Sequence, residues 1–74
     1  MVVLFDDETI FTYVQSQGLL PSGMQLGMPT KDVLGRCASI LDLTQDDINY
    51  LESFEGVQIM ESMPSDWQEP PSEP

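Results

Sequence analysis

The stretch from Thr30 to Gly56, TKDVLGRCASILDLTQDDINYLESFEG, is the part of this chain that most limits what it can fold into. Its apolar positions Val33, Leu34, Cys37, Ile40 and Leu41 recur at helical spacing, and Ile48, Leu51 and Phe54 form a second set shortly after. The pattern predicts two helices joined by a tight turn, a helix-turn-helix-like pair. A DNA reader of that layout turns Arg and Lys toward phosphates from its second helix. This one offers Asp46, Asp47, Glu52 and Glu55 instead, so contact with DNA through that face is repulsive.

The flanking segments complete the expected domain. Val2 to Phe5 is an uninterrupted apolar run, which suits a short strand buried on both faces. Asp6-Asp7-Glu8 places carboxylates where a helix begins, with Ile10, Phe11 and Val14 as its stripe and Gly18 as its stop. Leu19 to Gly23 reads as a turn. Met24 to Met28 gives a weak alternating signal, a strand or an extended loop packed under the helices. Thr30 is expected to cap a second helix, in which Gly35 marks a close helix contact.

Thr44 caps the next helix in an approximate capping box with Asp47, and Gly56 ends it. Val57 to Glu61 alternates and is expected to pair with Val2 to Phe5. The sequence thus predicts a small α+β domain over residues 1–62, three helices packed on a two- or three-stranded sheet. A flexible acidic, Pro-rich tail over 63–74 should follow, because MPSDWQEPPSEP is too polar to form a core.

Chemistry is constrained by what is missing. The chain has no His and one Cys, which excludes an internal disulfide and leaves no Cys or His metal spacing. Cys37 falls on an apolar stripe, the setting of a buried and inert thiol. Adjacent helical carboxylates such as Asp46 and Asp47 point in different directions and make no acid–base dyad. No EF-hand spacing, Walker sequence or GxGxxG is present. The expectation is a non-enzymatic protein without catalytic residues, metal or cofactor. No apolar run approaches the roughly 20 residues of a membrane span, and no basic, apolar leader precedes the fold, so a cytoplasmic location is expected, that of a host cell if the chain is viral.

Charge then becomes the main signal. Thirteen acids against Lys31 and Arg36 give a net charge of −11 on 74 residues. A surface normally mixes both signs, because single-signed charge opposes compaction. Asp42, Asp46, Asp47, Glu52 and Glu55 can line the solvent side of the last helix, and Glu61, Asp66, Glu69 and Glu73 extend the negative surface toward the C-terminus. Duplex DNA carries one charge per about 1.7 Å of axis, and a rigid array of carboxylates can occupy the same basic groove.

By composition the chain resembles small acidic proteins of viral or mobile-element origin. The expected function is a mimic of DNA charge that blocks the basic DNA-binding surface of a host protein, such as a clamp, nuclease, repair enzyme, polymerase or CRISPR effector. The other reading is an acidic antitoxin or adaptor anchored on a protein partner through Trp67 and Tyr50. Trp67 has a structural role open to it as well, folding back over an exposed edge of the core. A degenerate regulator acting as a homodimer is a further alternative.

Overall fold

The computed structural model describes residues 1–71. Val2–Phe5 forms strand β1, and all four of its residues are buried. It is flanked on both sides in an antiparallel sheet of order β2-β3-β1-β4, where β2 is Thr30–Lys31, β3 is Cys37–Ile40 and β4 is Val57–Met60. In register, Val3 lies opposite Ser39 on one side and Ile59 on the other, and Phe5 lies opposite Cys37 and Val57.

Two helices cover one face of this sheet. Helix α1, Glu8–Ser16, starts where the Ile10 amide donates to the Asp7 carboxylate at 2.9 Å. Helix α2, Gln45–Glu52, starts on a complete capping box between Thr44 and Asp47. Beneath them Val3, Phe5, Cys37 and Val57 pack with Phe11, Val14, Leu20, Leu26 and Leu51. The Phe5 and Phe11 rings meet edge to face at 5.1 Å. Helix α2 ends with Ser53 as its C-cap, short of the expected Gly56, which takes φ +82° in the turn into β4, where a Cβ would collide with the Ile10 side chain. The missing side chain lets the turn lie close against α1.

The expected fold of three helices on two or three strands is corrected to two helices on four strands, because the helix expected from Thr30 is a β-hairpin. Asp32 organises its turn. The Asp32 amide donates to the Arg36 carbonyl at 3.0 Å, the Gly35 amide donates to the Asp32 carbonyl at 3.0 Å, and the Asp32 carboxylate accepts from the Leu34 amide. Gly35 takes φ +88°, the left-handed position that closes a three-residue hairpin loop, and open space surrounds it. It makes no helix contact. Val33 and Leu34, two of the five residues of the supposed stripe, stand exposed at the hairpin tip. The helix-turn-helix-like pair does not exist.

The second correction concerns the tail. A sheet whose central strand is apolar on both faces needs two covers, and the helices supply only one. On the other face Val2, Leu4 and Ala38 pack with Met60, Met63 and Trp67. The Val33 amide donates to the Gln68 carbonyl at 2.9 Å, tying this segment to the hairpin tip. Residues 63–68 are therefore laid on the sheet as a second layer through Met63 and Trp67, and Trp67 takes the structural role open to it; residues 72–74 of the expected tail lie outside the described residues.

Met24 to Met28 is a loop without a strand, anchored by buried Leu26, whose carbonyl accepts from the Gln15 side chain at 2.9 Å.

Candidate functional site

Both side-chain cations are committed within the molecule. Lys31 Nζ donates to Glu8 Oε2 at 2.7 Å, and this bond raises the Lys31 pKa from its ordinary value. Arg36 Nε donates to Asp32 Oδ2 at 2.7 Å, and the guanidinium lies 3.4 Å from Asp66 Oδ1 and 5.4 Å from the centre of the Trp67 ring. The Asp32 carboxylate thus holds the hairpin turn and the guanidinium together, while the guanidinium clamps the C-terminal segment.

Asp47 is withdrawn from the expected acidic row. It is fully buried, and its carboxylate accepts from the Ser22 amide at 3.0 Å and the Thr44 amide at 3.2 Å. Desolvation pushes its pKa up, but the hydrogen bonds from Ser22 and Thr44 outweigh that and hold it below the usual carboxylate range. Its role is to fasten the loop after α1 to the start of α2.

The remaining predicted carboxylates do not form one helical row. Asp42 lies before α2 and Glu55 beyond it, so only Asp46 and Glu52 stand on the helix itself. By strand register, Asp6, Asp7 and Glu55 gather where β1 ends and β4 begins, the Asp6 amide donating to the Gly56 carbonyl at 2.9 Å. Asp42 and Glu61 lie at the opposite end of the sheet, just beyond Ile40 and Met60. All of these are exposed and none is ion-paired among the described residues. Glu69 is exposed and likewise unpaired, Asp66 is exposed but paired with Arg36, and Glu73 lies outside the described residues.

The aromatic anchors read from the sequence are turned to internal use. Trp67 is half-buried on the second face, and Tyr50 is half-buried with its ring 5.2 Å from that of Phe54. The exposed aromatic is Tyr13, 59% accessible, whose ring meets Phe54 edge-on at 5.9 Å. With Thr9, Ile10, Ser53 and Glu55 these two rings line an open groove of about 550 Å³ between α1 and the turn that follows α2. Tyr13 lies off the apolar stripe of α1, so periodicity alone does not distinguish it from a solvated helix residue.

Cys37 is buried in the core, and burial, with the Glu8 carboxylate nearby, pushes its thiol pKa up. Among the described residues no three His, Cys, Asp or Glu side chains converge as a metal site, and no helix is long and apolar enough to cross a membrane. No family model, curated protein or solved structure matches the chain.

Proposed function

We propose that this protein is a non-enzymatic ligand for a strongly basic protein surface, competing there with nucleic acid. One observation carries the reading: Lys31 and Arg36 are neutralised internally, while Asp6, Asp7, Asp42, Asp46, Glu52, Glu55, Glu61 and Glu69 face solvent with no cation paired to them among the described residues. Self-repulsion is thus left unrelieved at the surface, where a cationic partner can relieve it.

The geometry shapes how such competition works. Asp46 and Glu52 are six residues apart on α2, about 9 Å of helix rise, against one charge per about 1.7 Å of duplex axis. No single helix copies a phosphate row. The field of carboxylates at both ends of the sheet acts together, so affinity depends on total charge more than on one line of contacts.

The test is competition. The immobilised protein is loaded with a purified basic DNA-binding protein that it captures, then challenged with duplex DNA and with a salt gradient. Displacement by DNA and a steep fall of affinity with salt support the reading. A captured partner that holds on in high salt, and that DNA leaves in place, refutes it.

A further inference from the structure

We propose that the outer edge of β4 is a strand-addition site for an extended segment of the partner protein bearing a Lys or Arg at each end. The inference rests on the cationic-partner reading above and specifies how the partner is held.

β4 is the terminal strand of the sheet, with β1 on one side only. The Asp6 amide donates to the Gly56 carbonyl, which makes that opposed pair a hydrogen-bonded one. Hydrogen-bonded and non-bonded pairs alternate along an antiparallel ladder. Gln58 opposite Leu4 and Met60 opposite Val2 therefore turn their amides and carbonyls toward β1, and Val57 and Ile59 turn theirs outward. Those outward groups make no backbone hydrogen bond among the described residues.

Proteins usually blunt such an edge by shortening it, by placing Lys or Pro on it, or by covering it. The other edge follows that rule: β2 has two residues, carries Lys31 and is preceded by Pro29. β4 has four residues, VQIM, with neither Lys nor Pro.

Beyond its two ends stand Glu55 and Glu61, no more than roughly 20 Å apart along an extended chain. These acids decide the occupant. Two copies pairing antiparallel through Val57 of one and Ile59 of the other use every outward group, but that register sets Glu55 against Glu61 twice, between molecules of charge −11. A second copy is repelled. A strand with cations six positions apart sets both against carboxylates in the same register, and its backbone completes the ladder.

The probe is the labelled peptide acetyl-Lys-Thr-Val-Thr-Val-Thr-Lys-amide, titrated into the full chain at low salt and read by anisotropy. In the antiparallel register its third and fifth residues meet Ile59 and Val57, and its fourth turns its amide away. N-methylation of the third and fifth residues should weaken binding at least tenfold relative to N-methylation of the fourth. The Val57 and Ile59 amides should gain hydrogen-exchange protection. The Glu55→Gln, Glu61→Gln double variant should lose several-fold in affinity and most of its salt dependence while melting no lower than the wild type.

Equal binding of the two methylated peptides overturns strand addition and leaves the acidic-surface reading standing. Absence of binding to the unmethylated peptide also overturns strand addition, whereas the acidic-surface reading falls only in the DNA competition above. A dimer in sedimentation without peptide, with Val57 and Ile59 already protected, overturns the proposal in favour of self-pairing.

Discussion

Replacing Trp67 with alanine asks whether the C-terminal segment belongs to the fold. Truncating a buried Trp costs about 3–5 kcal/mol, and half-burial of Trp67 reduces this to about 2 kcal/mol. The Arg36 guanidinium 5.4 Å from the ring centre adds about 0.5 kcal/mol. A loss of about 2–3 kcal/mol is a large share of the roughly 4–11 kcal/mol expected for a chain of 74 residues. It lowers Tm by about 10–20 °C.

Trp67→Phe behaves differently. It keeps much of the apolar contact and removes an indole N–H that is buried without a hydrogen-bond partner, a burial that itself costs about 1–3 kcal/mol. Its net loss should stay under about 1 kcal/mol. Thermal melts by circular dichroism measure both, and acrylamide quenching of this single Trp reports its shielding directly. A Tm for Trp67→Ala within about 3 °C of wild type would falsify the account of the segment as the sheet's second layer.

Other expected outcomes follow from the same contacts. Asp47 has a folded pKa held below its unfolded value, so its stabilisation is present above about pH 3.9 and is lost as the pH falls through the lower folded value. The gap between wild-type and Asp47→Asn urea midpoints should accordingly be open at neutral pH and narrow in acid. A gap that widens in acid contradicts this. Raising salt from about 10 mM to about 150 mM shortens screening from about 30 Å to about 8 Å, and Tm should rise because unpaired carboxylates dominate the surface; a fall would show that the Lys31 and Arg36 pairs matter more. Gly56→Ala should destabilise more than Gly35→Ala, since both glycines have positive φ but only Gly56 faces a close side chain, Ile10. Cys37 should resist a thiol reagent in the native state and react in urea.

What could be read from the sequence divides by how local the cause is. The Asp7 cap, the box between Thr44 and Asp47, and the stop at Gly18 all act within one helical turn, and each stands where the residue types place it, whereas α2 ends at Ser53, short of the expected Gly56. The pairing of Val57–Met60 with β1 was also legible, because both segments are short and apolar and the only other strand signal, over Met24 to Met28, is weak. The hairpin was not. Val33, Leu34, Cys37 and Ile40 satisfy a helical period over a window too short to separate helix from turn and strand, and what decides the outcome is distant. β1 offers a second edge, and Cys37–Ile40 fills it. Gly35 three residues after Asp32 was the local clue to the turn. In the acidic row, Asp47 already had a capping role that calls for an inward carboxylate, and its second partner, Ser22, lies 25 positions away where no spacing rule reaches it.

The placement of charge follows from this economy of apolar surface. A four-residue central strand buried on both faces draws α1, α2 and the C-terminal segment onto it, and the larger apolar side chains are largely consumed in doing so. Among the described residues the exposed exceptions are few: Met1 and Ile40 at one end of the sheet, Tyr13, Leu19, Met28, and the hairpin tip at Val33 and Leu34. A broad apolar interface is therefore not what the fold offers a partner. Carboxylates and one unblocked backbone edge are what it offers. Charge alone attracts any basic surface without choosing among them, and a backbone edge alone accepts any strand. Set together, with Glu55 and Glu61 beyond the two ends of β4, they discriminate through spacing: only an extended segment whose cations match that interval satisfies both at once.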